Sequence, residues 1–539
     1  MSFETRVQKG TADFDGHRSD MLELIEKLRN LEARAMSASE KRAERMSQRG
    51  QITPRKRLSA LLDPGMPFLQ LHSLAGYMTD TDDEENSIPG SSLIVGIGFV
   101  SGVRSMILVD DAGIKAGAMG VMTVDVILSV QKMALCQKLP FIHLVESAGA
   151  NLMDYKASLW ARGGAMFRNL ALLSSAGIPN VALLHGPSTA GGAYMPGLAD
   201  YVVGVKKNGM AALAGTALVQ SATGEKANER DLGGSEMHAQ TSGLVEYLVE
   251  DDAHGVEKLR QVMAQLHWNR SDAQLAIREI VPPVHSPDEL AGSVPIDYRQ
   301  PYDVHEIVIR IVDGSEFLDF KPDFGPSTVC LHAAINGIPV GIIGNNGPIE
   351  PAGANKATQF IQLCGQSETP LIFLSNTTGF MVGTEYEQAG MIKHGAKMIQ
   401  AVTNVDVARI TIYVGASFGA GNYGMSGYAY EPDFLFSWPN ALTGVMGGDQ
   451  AAGTMDMIAR AGAARRSENI DEAKLKAQYD KIKAIFDAQS SAFYSSGQCL
   501  DHGIIDPRDT RRVLGFCLET CLEARVRKLK PNTYGVARL

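Results

Sequence analysis

The chain has 539 residues, 45% hydrophobic and 20% charged, enough for two hydrophobic cores in domains of about 200 to 250 residues each. A net charge of -10 argues against a general nucleic-acid binder and leaves room only for local basic pockets, and no apolar run approaches the roughly 20 residues of a membrane span. The six cysteines are scattered without a CxxC pair, which excludes a structural zinc site and leaves Cys517 and Cys521, one helical turn apart, as buried thiols.

MSFETRVQKG lacks the apolar core of a signal peptide, so cytoplasmic residence is the expectation. Residues 1–56 form a first, helical segment, in which Met21, Leu24, Ile25, Leu28 and Leu31 share one face. RGQITPRKRLSALLDPG adds a short helix stopped by Pro64 and Gly65. Glycine-punctuated strands and helices then alternate, the pattern of an α/β domain over residues 57–280. The proline-rich VPPVHSPDELAGSVP predicts a linker at 281–295, and a second domain follows over 296–539.

The halves repeat each other. FVSGVRSMILVDDAG from Phe99 parallels AINGIPVGIIGNNG from Ala334, PFIHLVESAG from Pro140 parallels PLIFLSNTTG from Pro370, and GPSTAGGAYM from Gly186 parallels GASFGAGNYGM from Gly415. Three matches in the same order at nearly constant offset predict two similarly folded domains. Each copy of the last motif follows a strand-like run (NVALLH, ARITIYV) and precedes a helix start, so its backbone N–H groups can face an anion as in an oxyanion hole. One such loop reads equally well as a tight turn, whereas two in register favour function.

Other chemistry is poorly supported. The loops are neither a Walker A motif nor a dinucleotide fingerprint. Ser188 is outside a GxSxG register and has no assignable base, His394 in IKHGAK reads as a structural helix histidine, and Asp110 and Asp111, matched by Asn345 and Asn346, read as turn formers. The sequence therefore offers polarising backbone without an acid–base pair, and a cosubstrate is expected to bring its own base.

RGQITPRKRLSALLDPG, LVESAGANL, GPSTAGGAYMPGLAD, ATGEKANERDLGG, NNGPIEPAGANKATQFI, TTGFMVG, KHGAKM, GASFGAGNYGM and VMGGDQAAG together resemble the carboxyltransferase β subunit of biotin-dependent acyl-CoA carboxylases, nearest the methylcrotonoyl-CoA and geranyl-CoA branch. The resemblance covers almost the whole chain. It implies two tandem crotonase-like domains of the ClpP/crotonase superfamily, and transfer of CO2 from carboxylated biotin on a partner α subunit to an acyl-CoA. Biotin is not expected on this chain, which has no MKM-type attachment site, and coenzyme A enters as part of the substrate. The resemblance further implies a homohexameric β core and no resident metal.

By the same resemblance, Ala190, Gly191 and Gly192 hold the thioester oxygen and Gly419, Ala420 and Gly421 the ureido oxygen of biotin. Ala148, Gly149, Gly163, Gly164, Tyr194, Gly379 and Phe380 contact substrate. Methylcrotonoyl-CoA subunits resemble HFGRIFFNQ where this chain reads ARGGAMFRN, with a bulky aromatic at the position of Gly163, and the missing ring implies room for a longer acyl chain. The alternatives are a decarboxylase subunit running the transfer in reverse and a noncatalytic acyl-CoA-binding scaffold.

Overall fold

The computed structural model describes residues 3–147, 149, 156–268, 279–466, 469–533 and 535–536. It divides into two compact units, one of Asn30–Leu275, Gly497–Cys499 and Thr520–Leu539, the other of Met1–Arg29, Ala276–Ser496 and Leu500–Glu519.

The first unit is built on strands β1 (Leu69–Leu71), β2 (Leu93–Val100), β3 (Val103–Asp110), β4 (Phe141–Ser147), β5 (Asn180–Thr189), β6 (Tyr201–Val205), β7 (Met210–Ala212) and β8 (Tyr247–Val249), ordered β1-β2-β3-β4-β5-β6-β8 with β7 beside β5. β2 and β3 pair antiparallel, and β3 to β6 run parallel. Their near-continuous apolar runs fit strands covered on both faces. Ile107, Ile142, Leu144, Val181, Leu183 and Val203 form the core with Val256, Leu259 and Met263 of the helix Asp252–Gln265.

The second unit repeats this plan in β9 (Leu318–Asp319), β10 (Thr328–Ile335), β11 (Ile338–Asn345), β12 (Leu371–Thr377), β13 (Arg409–Phe418), β14 (Phe434–Ser437) and β15 (Leu442–Gly444), ordered β14-β13-β12-β11-β10-β9 with β15 beside β13. Again an antiparallel hairpin leads into parallel strands. The duplication seen in the sequence is thus a duplication of topology, and the α/β class follows from it.

The repeat extends to side chains that share no local motif. Both hairpins turn through two residues in the left-handed region, Ser101 and Gly102 (φ 52° and 75°) and Asn336 and Gly337 (φ 50° and 75°), whose twist matches that of the flanking strands. A carboxylate caps each turn. Asp63 accepts from the Ser101 and Gly102 amides at 2.9 and 2.6 Å, and Asp313 from those of Asn336 and Gly337 at 3.0 and 2.7 Å. Each carboxylate is clamped by an arginine that also binds a helix-end carbonyl: Arg260 reaches Asp63 and the Leu61 carbonyl, and Arg511 reaches Asp313 and that of Ile311.

Asp63 shows what this clamp does to stability. Burial raises its pKa, but the Gly102 and Ser101 amides and Arg260 outweigh burial, and the net shift is downward. Its contribution is therefore complete above the ordinary carboxylate range near 4 and disappears as the pH falls through the depressed folded value. Asp63→Ala should cost about 2 to 3 kcal/mol at neutral pH, read by chemical denaturation, and the difference from wild type should shrink in acid. A cost of less than about 0.5 kcal/mol at neutral pH would contradict the clamp.

Two expectations about organisation need revision. The proline-rich stretch expected to be a linker is packed: Leu290, Ala291 and Val294 are fully buried, Arg310 bonds Glu289 at 2.9 Å, and the Phe14 ring covers Gly292. The chain termini do not follow simple cuts. Glu306 accepts bonds from Thr5 and the Arg6 amide at 2.7 Å each, grouping residues 1–29 with the second unit, while Arg104 bonds Glu523 at 2.9 Å, grouping residues 520–539 with the first.

Candidate active site

Each glycine-rich loop begins where the longest strand of its sheet ends. β5 passes through Thr189 in extended backbone and turns at Ala190, φ 54°, into the turn Ala190–Ala193. β13 passes through Phe418 in the same conformation and turns at Gly419, also φ 54°, into the helix Gly419–Gly424. The left-handed geometry suits Gly419, whereas alanine at position 190 carries it at a cost of order 1 kcal/mol, a strain typical of functional sites. The first amides of a helical turn have no partner within it, so Ala190, Gly191 and Gly192 on one side and Gly419, Ala420 and Gly421 on the other begin a turn whose own carbonyls do not satisfy them.

Close packing fixes the third residue of each loop. A Cβ on Gly192 would lie 2.9 Å from Ser188 Oγ and 3.3 Å from Ser147 Cβ, and one on Gly421 would lie 2.7 Å from Gly379 Cα. A second glycine braces each loop from the neighbouring strand. The Gly149 amide donates to Ser147 Oγ at 3.2 Å, the Gly379 amide to Thr377 Oγ1 at 3.3 Å, and both glycines have positive φ, 76° and 132°. Ala148 lies outside the described residues.

Around the first loop, Phe167 and Tyr194 set their rings 5.5 Å apart, and the Phe167 ring lies 3.3 Å from a Cβ built on Gly191. Gly163 and Gly164 sit one turn before Phe167 on the helix Ala157–Ser175. A Cβ on Gly164 would meet open space, whereas one on Gly163 would face Met166 Cε at 3.7 Å. In the same unit a cavity of about 190 Å³ is lined by Arg42, Arg45 and Arg49 and reaches Glu146, Ser147 and Pro187. Burial pushes the Glu146 carboxyl above the usual range.

The second loop borders a larger cavity, about 640 Å³, lined by Gly419, Ala420, Tyr413, Asn422 and Tyr428, with Val445, Ile485 and Phe486 supplying apolar wall. Among the described residues its lining holds no carboxylate, lysine, arginine or histidine, so it suits a neutral polar ring.

The remaining candidates are placed elsewhere. Ser188 is fully buried beneath Gly192, out of reach as a nucleophile. Asp111 accepts from the Gly113 amide at 2.9 Å, a turn bond as the sequence suggests, whereas Asp110 ties two strand ends together, accepting from the Glu146 amide at 2.9 Å with His143 Nε2 3.2 Å away. Phe380 is half-buried, its ring within 3.4 Å of Cβ positions on Gly395 and Gly424. His394 lies on the half-buried face of the helix Met391–Asn404, with Nδ1 3.3 Å from Lys397 Nζ. His394→Ala should accordingly keep kcat within about threefold of wild type. A loss of orders of magnitude with the fold intact would make it the missing base.

The arginine cavity and the Tyr413–Asn422 pair escaped the sequence reading. The three arginines lie in and at the two ends of the short helix Ala43–Gln48, and Tyr413 sits in a strand-like run.

The family model described as carboxyl transferase domain matches residues 45–534. The chain belongs to the carboxyltransferase family. Among curated carboxyltransferases it is 45% identical, over 93% of this chain and 92% of that protein, to a probable biotin-dependent acyl-coenzyme A carboxylase β2 subunit of Mycobacterium tuberculosis. It is 42% identical, over 97% and 98%, to the biotin-dependent 3-methylcrotonyl-coenzyme A carboxylase β1 subunit of the same organism. A crystal structure of the geranyl-CoA carboxylase β subunit of P. aeruginosa matches with a TM-score of 0.93 at 45% identity over 100% of both chains. The chain is thus the carboxyltransferase component of a biotin-dependent acyl-CoA carboxylase. Among the described residues no helix is long and apolar enough to cross a membrane.

Proposed function

We propose that this carboxyltransferase divides its two loops between two reactants. The amides of Ala190, Gly191 and Gly192 bind the thioester oxygen of a branched enoyl-CoA, and those of Gly419, Ala420 and Gly421 bind the ureido oxygen of biotin carried by a partner α subunit. The observation that carries this reading is the same left-handed turn, φ 54°, at the end of two matching strands, with different surroundings: aromatic rings beside the first loop and a neutral polar cavity at the second.

Biotin, when bound, supplies the carboxyl group and the ring nitrogen that serves as base, in keeping with the scarcity of acid–base side chains around the loops. This chain's residues supply electrostatics and position. Fixed amides meet negative charge as it develops on an oxygen, worth about 3 to 4 kcal/mol for one well-aimed donor. The Arg42, Arg45 and Arg49 guanidiniums suit the phosphates of coenzyme A. Gly163, Gly164, Phe167 and Tyr194 form the acyl wall, and the open space at Gly164 favours an acyl chain of geranyl length over methylcrotonoyl. A homohexameric β core, with the α subunit bound to it, belongs to the same proposal.

The test combines this chain with a biotinylated α subunit, ATP, labelled bicarbonate and a panel of acyl-CoAs. Label should reach acyl-CoA only when all components are present, with geranyl-CoA preferred. Absence of transfer to any member of the panel would reject the reading.

A further inference from the structure

The two copies of the loop differ at two positions where the register makes them equivalent. Four residues before the end-of-strand serine, β5 carries Leu184 and β13 carries Tyr413. Five residues after that serine stand Ala193 and Asn422 respectively. The first copy is apolar at both places, and the second has acquired a polar network. Asn422 Nδ2 donates one hydrogen to the Tyr413 hydroxyl oxygen at 3.0 Å and the other to Ser417 Oγ at 2.9 Å, and the Tyr428 amide donates to the same phenolic oxygen at 3.1 Å.

These bonds define what Tyr413 can do. Its oxygen already accepts twice, and among the described residues the hydroxyl donates to none, so its hydrogen is the free valence. The side chain is 3% exposed and lines the cavity that also contains Gly419 and Ala420. Burial pushes the phenol up to about 12, against the pull of its Asn422 and Tyr428 bonds, so the hydrogen stays in place through any working pH.

We infer that Tyr413 is a ligand-binding donor, giving its hydroxyl hydrogen to an oxygen of the cyclic urea that sits against the Gly419 loop, with Asn422 as the residue that orients it. The inference rests on assigning that loop to biotin. Division of labour between the copies follows from it: the first copy receives a thioester oxygen with backbone donors alone, and the second adds a side-chain donor for a smaller, more polar ring.

The test is equilibrium binding of free biotin to the full-length protein, by dialysis or calorimetry, with acyl-CoA binding and thermal melting measured alongside. Tyr413→Phe should weaken biotin about tenfold while acyl-CoA affinity stays within about twofold. A purely structural tyrosine would lower the melting temperature and leave biotin affinity unchanged, and that result overturns the inference. Ala420→Phe, which fills the cavity at the loop, separates the two levels. If it abolishes biotin binding and Tyr413→Phe does not weaken it, only the role of Tyr413 falls. If wild type fails to bind biotin, or Ala420→Phe binds it normally, the assignment of the loop falls as well. Should Tyr413→Phe not fold, wild type can be tested with 2-iminobiotin, whose nitrogen replaces the ureido oxygen. Binding about tenfold weaker than biotin is expected, and equal binding overturns the inference.

Discussion

Gly192→Val and Gly421→Val should each lower kcat/KM by about 100- to 1000-fold, the range associated with misplacing one oxyanion donor. The geometry leaves little room for accommodation. At Gly192 the first added atom already crowds Ser188 Oγ at 2.9 Å and Ser147 Cβ at 3.3 Å, so the loop must lift from β4. At Gly421 the obstacle is backbone, Gly379 Cα at 2.7 Å, with Thr377 Cγ2 at 3.1 Å behind it, so relief requires the loop itself to move. Gly191→Ala provides the contrast. Its Cβ would meet only the edge of the Phe167 ring at 3.3 Å, which side-chain rotation can relieve, so the loss should stay within about tenfold. Thermal melting run in parallel separates lost donors from lost fold. Near-normal turnover in both valine variants would remove the loops from the mechanism.

The second large effect concerns acyl length. Wild type should use geranyl-CoA at least about tenfold more efficiently than methylcrotonoyl-CoA, since each methylene gained or lost in an apolar pocket is worth about 1 to 3 kcal/mol. A phenylalanine at Gly164 would extend into open space one turn before Phe167 and close the wall, so Gly164→Phe should selectively depress use of the long substrate. Gly163→Phe should act in the same direction with an added cost in stability, because the buried Met166 must give way and the Met166 carbonyl holds Gln131 at 3.0 Å. Equal efficiency for short and long thioesters, unchanged by either variant, would rule out this helix face as the selector.

Much of this was legible in the sequence because the chain contains its own comparison. The SG and NG turns, the prolines before β4 and β12 and the glycines of both loops recur in order, and each marks a backbone conformation that few residues adopt. What remained hidden depends on contacts distant along the chain. Arg260 and Arg511 lie about 200 residues along the chain from the aspartates that the fold brings them to, Asp63 and Asp313. The segment around Leu290 has linker composition, but its few apolar residues find a pocket beneath Phe14. Ala190 gives no sign of its left-handed backbone, since alanine ordinarily avoids that region; only the match to Gly419 could have raised it. Tyr413 was hidden for the opposite reason, since a tyrosine inside a strand ordinarily signals core packing.

The central claim is that one loop architecture, duplicated, handles two different reactants. Its most direct test measures the affinities of Gly192→Val and Gly421→Val for acyl-CoA and for free biotin on the purified full-length protein. Gly192→Val should lose acyl-CoA binding and keep that of biotin, and Gly421→Val should lose biotin binding and keep that of acyl-CoA. Loss of both ligands in both folded variants, or the reverse pairing, would contradict the division of labour between the loops.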